Sequence, residues 1–265
     1  MAGVAPAGSE KAGDDTVLEN LVSASITLSR NVLVLALDTT TRAGSVAVVR
    51  DGAVLSEVIG DPAITHGARL PSDLIRALDR ASVQASDLDL LAVAAGPGSF
   101  TGLRVGIATM QGLAMASGRR IVPVSVLDAL AIAGTNGRAP VAAWMDAQRG
   151  EVFAALYDHG GRNVAIEATA LPPLETIEHW RDRLTTRLPS FIGDGAVRYA
   201  PMIRDAFGHT IEIVEPPALA PIIGRLACEH PDRAVAPHAV VPIYIRRPDA
   251  EIARSKQREQ AHDAG

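Results

Sequence analysis

A helix with almost no polar side chains constrains the fold of this chain more than any other feature. Residues 103–117 carry one charge, Arg104, and glycines and alanines recur along the segment. A helix without a polar face has to be covered on every side. We therefore predict that its own sheet covers one side and a second protein covers the other. The alternative is a central helix buried inside one large α/β domain.

The loop before this helix has the strand–loop–helix arrangement of a phosphate cradle, in which loop amides and a helix N-terminus attract anions. Its residues fit no familiar fingerprint. A dinucleotide-binding loop needs glycine where Thr101 stands, and a Walker loop needs Gly-Lys-Ser/Thr where the chain has Gly-Leu-Arg at 102–104. A nucleophile elbow needs glycine at Pro97 and Thr101. Gly98 and Ser99 remain candidate phosphate contacts.

Composition and charge exclude several classes of protein. The chain has 265 residues with 48% apolar residues and a net charge of −5, whereas a dedicated nucleic-acid-binding domain shows a basic excess. Cys228 is the only cysteine, which is typical of a reducing cytosol. Residues 1–30 lack the apolar core of a signal peptide, and residues 32–37 are too short to span a bilayer. These features predict a cytoplasmic protein without membrane contact.

Strand and helix patterns occur twice along the chain. The first half predicts a meander of three antiparallel strands followed by helix, strand, helix and strand, at 32–38, 45–50, 53–59, 64–81, 90–95, 103–117 and 121–125. The second half predicts three strands followed by alternating helices and strands, at 141–146, 151–157, 164–169, 174–186, 191–192, 196–207, 211–214 and 218–229. Pro71 fits best in a first turn, so the helix within 64–81 is expected to begin near Ala68 or Arg69.

The repeated pattern predicts an α/β fold of two lobes, each a mixed sheet that starts with an antiparallel meander and is flanked by helices. We divide the chain into a disordered extension at 1–30, an N-terminal lobe at 31–137, a C-terminal lobe at 138–247 and a flexible tail at 248–265. For the helix at 218–229, the alternative is that it packs against the first lobe.

Six motifs in order carry a resemblance to a known family. They are Ala-Leu-Asp-Thr-Thr at 36–40, His66 followed by Leu70-Pro71, and Gly-Pro-Gly-Ser-Phe-Thr-Gly-Leu-Arg at 96–104, whose first part we call the glycine loop. The other three are Met-Asp-Ala-Gln-Arg-Gly-Glu-Val-Phe at 145–153, Gly-Asp-Gly at 193–195 and Tyr-Ile-Arg at 244–246. The chain resembles the TsaB (YeaZ) family of subunits for tRNA threonylcarbamoyladenosine biosynthesis over about residues 32–247. Gln148 and Ile245 depart from the residues usual in that family.

The resemblance implies a two-lobed actin/Hsp70-like (ribonuclease H-like) fold and a scaffold subunit without catalytic residues of its own. Such a subunit binds the catalytic subunit TsaD, acts with the ATPase TsaE and forms a homodimer when alone. The complex transfers a threonylcarbamoyl group to the adenosine 3′ of the anticodon in tRNAs that read ANN codons, so tRNA contact is expected through the complex. The resemblance implies no cofactor, except weak ATP or ADP binding at the TsaD interface.

The resemblance, together with the nearly charge-free helix at 103–117, places the partner surface on two helices of the first lobe. Two helices from each partner would form a four-helix contact. The residues that we expect at this surface are His66, Leu70, Leu74, Leu78, Leu103, Arg104, Gly106 and Met110.

Proteins of this superfamily grip phosphate after the first strand, which makes Asp38, Thr39 and Thr40 candidate nucleotide contacts. Gly193 and Asp194, before a predicted helix, are the second candidates. The alternative at both places is an ordinary turn or cap.

His66 does not indicate a metal site. A zinc site on a helix needs a second ligand one turn away, where the chain has Leu70. The TsaD relative carries a histidine pair there, so we predict no metal site and no protease activity. The remaining alternative function is an active ATPase or small-molecule kinase of the same fold, which needs a fuller acidic set than Asp38 and Asp194.

Overall fold

Each half of the chain begins with an antiparallel meander and continues as alternating strands and helices. The computed structural model describes residues 31–135, 140–158, 160–184 and 187–246, and within them the chain forms two five-stranded sheets and seven α-helices. The predictions for residues 1–30 and 248–265, and the lobe boundary at 137/138, lie outside the described residues.

The first sheet has the strand order β3-β2-β1-β4-β5. Its strands are β1 Leu33–Asp38, β2 Ser45–Arg50, β3 Ala53–Ile59, β4 Leu90–Gly96 and β5 Arg120–Ser125. β1 pairs antiparallel with β2 and parallel with β4. Asp51 and Gly52 have φ angles of 49° and 83°, which suit the tight turn between β2 and β3. β1 is buried along its whole length, as expected of a central strand.

The second sheet repeats this order as β8-β7-β6-β9-β10, with β6 as its central strand. Its strands are β6 Val141–Asp146, β7 Val152–Asp158, β8 Asn163–Leu171, β9 Ser190–Ile192 and β10 Ile213–Val214. β6 pairs antiparallel with β7 and parallel with β9. Because the two orders match strand for strand, the duplication suggested by the sequence is present in the sheets.

The helices form layers around the two sheets. They are α1 His66–Ala81, α2 Phe100–Ser117, α3 Val126–Gly134, α4 Pro173–Trp180, α5 Asp194–Arg198, α6 Ala200–Phe207 and α7 Ala220–Glu229. α1 and α2 pack on one face of the first sheet, and α4 to α6 pack on the far face of the second. α3 and α7 share a core with the facing sides of both sheets.

Three predicted helices differ from those observed. α1 begins at His66 and contains Pro71, because the carbonyl that Pro71 leaves unbonded belongs to exposed Gly67. The helix predicted at 196–207 is two short helices that meet at Tyr199, and the one predicted at 174–186 ends at Trp180. The sequence analysis missed α3. A short apolar helix that is buried on most sides lacks the alternation of polar and apolar residues by which a helix is recognised.

The last described segment belongs with the first sheet. α7 contacts β1, β2 and β4, and Gly224 lies so close to β2 that an added Cβ would be 2.5 Å from Val49 Cγ2. The sequence division gave residues 138–247 to the second lobe. α7 instead packs against the first sheet, which the sequence analysis allowed for this helix.

The glycines of α2 reveal its two sides. An added Cβ at Gly102 or Gly106 would lie 2.1 Å from the Thr39 carbonyl oxygen or from Thr39 Oγ1, respectively, whereas Gly112 has nothing within 4 Å. The first two glycines therefore admit the turn after β1, and only the face that carries Gly112 is open.

Two alanine substitutions should have opposite effects on stability. Gly106→Ala should lower the free energy of unfolding by about 1–3 kcal/mol, because the new methyl collides with Thr39. Gly112→Ala should raise it by about 0.5–1 kcal/mol, because glycine costs about that much in an open helix. Urea denaturation of both variants measures this, and equal effects of the two changes would contradict the assignment of faces.

Candidate functional site

A cleft of about 360 Å³ opens between the two lobes. Asp38 at the end of β1 and Asp194 at the start of α5 both line it, so the structure brings two of the sequence-predicted phosphate contacts to one cavity. Leu130 and Met145 contribute apolar walls. Each lobe thus supplies one carboxylate, from the end of β1 in the first lobe and from the turn after β9 in the second.

The Asp38 carboxylate is bonded to its own turn. It is 2% exposed, and Oδ1 accepts hydrogen bonds from the Thr40 backbone N–H at 2.8 Å and from Thr40 Oγ1 at 2.6 Å. Burial raises the pKa of Asp38, while the Thr40 hydrogen bonds act in the opposite direction. A buried carboxylate with local donors is suited to holding the turn.

The hydroxyls of Thr39 and Thr40 are also committed to the protein. Thr39 Oγ1 donates to the Gly102 carbonyl at 2.8 Å, and both threonines are buried. Gly98 packs directly on Thr40, where an added Cβ would lie 2.6 Å from the Thr40 Cβ. The turn that grips phosphate in the expected fold is therefore occupied by the glycine loop.

Ser99 has a capping role at the start of α2. Its Oγ accepts the Gly102 backbone N–H at 3.3 Å, and its own N–H donates to the Thr40 carbonyl at 3.3 Å. It lines a groove at the N-termini of α1 and α2 and is absent from the lining of the cleft. Ser99 and Asp38 therefore do not face a common site.

Asp194 is held by backbone donors. Its Oδ1 accepts the N–H groups of Asp146 at 3.0 Å and of Gly195 at 2.9 Å, and burial raises its pKa. Gly193 has a φ of 119° and lies so close to the Trp144 carbonyl oxygen that an added Cβ would be 2.0 Å away. The Gly-Asp-Gly turn thus joins α5 to the end of β6.

Metal-dependent chemistry has no visible site in the described ranges. No group of three or more histidine, cysteine, aspartate or glutamate side chains could hold an ion there. The cleft can admit a small molecule, with two carboxylates that are already hydrogen-bonded as its acidic groups.

A buried ionic network ties the same turn to α1, and sequence reasoning missed it. Arg69 donates to Asp73 at 2.5 Å, to His66 Nδ1 at 2.8 Å and to the Ala43 carbonyl. His66 Nε2 donates to the Thr41 carbonyl at 3.0 Å. The only signal was an Arg–Asp pair four residues apart, which is common on exposed helices.

His66 is held as a neutral ring in this network. Nε2–H donates to a carbonyl, so Nδ1 has to accept from the Arg69 guanidinium. Burial lowers the pKa of His66, and the positive charge of Arg69 lowers it further. The ring therefore links α1 to residues 41–44 in its neutral form.

The predicted partner residues divide between the core and the surface. Leu70, Leu103, Gly106 and Met110 are buried within the first lobe and cannot contact a partner, which corrects that prediction. His66, Leu74 and Leu78 are half-buried, and Arg104 is exposed. Leu70, Leu74 and Leu78 point towards the first sheet, where they pack in the core that α1 shares with it.

An apolar surface lies on the opposite sides of the same two helices. We call it the α1–α2 face and define it by the exposed residues Ala68, Pro71, Ile75, Thr101, Arg104, Ala108, Gly112 and Met115. Ile75 is 59% exposed and Met115 is 76% exposed. The outward spacing of Ala68, Pro71 and Ile75 was the sequence signal for this face, but the stronger leucine pattern obscured it.

The described helices include none that is both long and apolar enough to cross a lipid bilayer.

Comparison with protein families gives a consistent set of relatives. A family model described as TsaD, tRNA N6-adenosine threonylcarbamoyltransferase, matches residues 60–179. An uncharacterised protein of Mycobacterium tuberculosis is 33% identical over 220 residues, covering 82% of this chain and 93% of that protein. The Bacillus subtilis tRNA threonylcarbamoyladenosine biosynthesis protein TsaB is 28% identical over 221 residues, covering 82% of this chain and 96% of that protein.

A solved structure of YeaZ from Pseudomonas aeruginosa has the same fold. It superposes with a TM-score of 0.65 at 29% identity, covering 80% of this chain and 99% of that chain. The match confirms the two-lobed actin/Hsp70-like fold that the sequence predicted.

The neutral His66 predicts a pH dependence of stability. Its pKa is lowered in the folded state, so the unfolded chain binds the proton more tightly. The contribution of His66 is complete above about pH 6.5, the ordinary pKa, and is lost as the pH falls through the folded-state pKa.

Denaturant unfolding from about pH 7.5 to about pH 5, compared with His66→Gln, measures this contribution. Glutamine keeps one donor and one acceptor but does not titrate, so the variant should show a shallower loss of stability towards acid. Parallel pH profiles for the two proteins would contradict the neutral assignment.

Proposed function

The chain belongs to the TsaB (YeaZ) family of tRNA threonylcarbamoyladenosine biosynthesis proteins, and we propose that it is a non-catalytic scaffold subunit that binds TsaD. In this role it supports transfer of a threonylcarbamoyl group to the adenosine 3′ of the anticodon in tRNAs that read ANN codons. The observation that carries the proposal is the α1–α2 face, on which Ile75 and Met115 are largely exposed.

The composition of this face favours a protein partner. Large apolar side chains on a continuous surface indicate a protein contact, and the small residues Ala108 and Gly112 let another backbone approach closely. The TsaD family model matches residues 60–179, a range that contains both helices. A TsaD partner with an equivalent helix pair would form a pseudo-symmetric four-helix contact.

The state of the cleft favours a role without catalysis. Asp38 already accepts hydrogen bonds from its own turn, and Asp194 accepts them from Gly195 and from Asp146 at the end of β6. Phosphoryl transfer needs carboxylates that position metal ions and a phosphate cradle that is open to the ligand. Here Thr39 and Gly98 close that cradle by packing against α2 and Thr40.

The remaining partners follow from the same role. We propose that TsaE joins through the assembled complex, that tRNA is contacted through the complex, and that the isolated chain dimerises through the α1–α2 face. Any ATP or ADP would bind weakly at the TsaD interface. A single cysteine suits a reducing cytoplasm.

A charge on the α1–α2 face should prevent association. Ala108→Arg places an unpaired cation in a dry contact, which costs several kcal/mol, so TsaD binding and self-association should fall at least about 100-fold. The variant should stay folded, because Ala108 is exposed. Calorimetric titration with TsaD measures the affinity, and cellular tRNA should lose threonylcarbamoyladenosine.

The matched control is Ala206→Arg, an exposed alanine on α6 in the second lobe. It should bind TsaD normally. A folded Ala108→Arg protein with unchanged affinity for TsaD would refute the proposed surface.

The isolated chain should not hydrolyse ATP above background, because the acidic groups of the cleft are bonded to the protein. A phosphate-release assay with magnesium tests this expectation. Steady turnover that disappears in Asp38→Ala would instead favour the alternative of an active ATPase or small-molecule kinase.

A further inference from the structure

Residues 237–246, which we call the strap, run along α2 and end the described part of the chain. At the far end of the helix, Gln111 Nε2 donates to the carbonyls of Pro237 at 2.9 Å and Val240 at 3.2 Å. The Ile243 backbone N–H then donates to the Ala95 carbonyl at 2.7 Å, at the end of β4. The strap therefore lies alongside α2 and reaches its first turn.

Three side chains meet where the strap reaches the start of α2. The rings of Phe100 and Tyr244 stack with their centres 5.7 Å apart and their planes inclined by 30°. The guanidinium carbon of Arg104 lies 3.9 Å from the centre of the Phe100 ring, and Arg104 Nε donates to the Tyr244 hydroxyl at 3.4 Å. The Arg104 side chain thus lies over the Phe100 ring and is hydrogen-bonded to Tyr244.

This arrangement orients an unpaired cation. Arg104 is the sole charged residue of α2, and no carboxylate in the described part of the chain pairs with it. Its Nε has the Tyr244 hydroxyl, and its two terminal nitrogens have no acceptor among the described residues. A guanidinium fixed in this way presents two parallel N–H donors to one ligand.

We propose that Arg104 determines the specificity of the α1–α2 face by binding an aspartate or glutamate side chain of the protein partner. The inference rests on the proposed function, because a partner that covers Ala108 and Met115 also removes water from Arg104. Burying a guanidinium without a counter-charge is costly. The partner must therefore supply an anion, and the planar fork of Arg104 fits a carboxylate in a bidentate pair.

The surroundings favour a protein carboxylate over an RNA phosphate. Ala108, one turn along α2 from Arg104, and Ile243, next to Tyr244 in the strap, are both exposed and apolar. RNA binding depends on several positive charges that track the phosphate backbone. Arg104, with Arg42 in the groove at the start of α2, is too little charge to track a phosphate backbone, and a cation beside apolar residues matches a protein contact with few charged pairs.

The experiment measures TsaD affinity for Arg104→Met and Arg104→Lys at several salt concentrations. Methionine keeps much of the apolar bulk and removes the charge, so the affinity should fall about 10- to 100-fold. Lysine keeps the charge but not the planar fork, so its loss should be smaller and its salt dependence should remain. Arg104→Met should also lose part of the salt dependence, which a purely structural role would leave unchanged.

Two controls separate this effect from misfolding. Arg204→Met changes an exposed arginine on α6 and should bind TsaD normally. The unfolding temperature of Arg104→Met should stay within about 2 °C of the parent, since an exposed cation–π contact and a long hydrogen bond contribute little to stability. Arg104→Glu should abolish binding, and an arginine at one acidic position of the TsaD helix pair should restore it.

Three outcomes would overturn the inference. Arg104→Met could bind TsaD with unchanged affinity while Ala108→Arg does not, which refutes the specificity role and leaves the proposed function standing. Unchanged affinity in both variants would refute the proposed function as well. Unchanged TsaD affinity with a loss of tRNA binding by the assembled complex would assign Arg104 to a phosphate instead.

Discussion

The close contact between the turn after β1 and the start of α2 determines how the rest of the first lobe is arranged. Gly102 and Gly106 leave room for Thr39, and Thr39 Oγ1 donates to the Gly102 carbonyl. A side chain at either glycine would push the helix away from the sheet. Because the turn fills this space, the hydroxyls of Thr39 and Thr40 are hydrogen-bonded to the protein and are not available in the cleft. The same contact fixes which side of α2 faces outwards.

The turn also connects two surfaces that have different roles in the proposed function. On one side, Asp38 and Thr41 line the cleft between the lobes. On the other, the Thr41 and Ala43 carbonyls accept hydrogen bonds from His66 and Arg69 of α1. A displacement of the turn would therefore act on both α1 and α2. Burying the charges of Arg69 and Asp73 costs free energy of desolvation, which the pair offsets only in a well-defined geometry. The network therefore fixes the position of α1 relative to the turn.

The two lobes have equivalent topologies, and the hydroxyls of Thr39 and Thr40 at the edge of the cleft are bonded within the protein. Each lobe supplies a carboxylate to the cleft, but Asp38 accepts hydrogen bonds from its own turn, and Asp194 accepts them from Gly195 and from Asp146 at the end of β6. The exposed apolar side chains of Ile75 and Met115 lie outside the cleft, on the outer sides of α1 and α2. This separation agrees with a protein whose contribution to tRNA modification is made through contacts with other subunits.

The sequence by itself determined the fold class, most strand positions and the family, because these depend on local period and on motifs read in order. It also identified α2 as a helix with an unusual surface. Only the tertiary structure decided that Leu70, Leu103 and Met110 face inwards while Ala108 and Met115 face outwards, since helical period defines an apolar stripe but not what covers it. Likewise, Thr39, Ser99 and Arg69 have polar side chains that could bind a ligand, but each is hydrogen-bonded within the protein. Their roles were set by the neighbours that folding brings to them from distant parts of the chain.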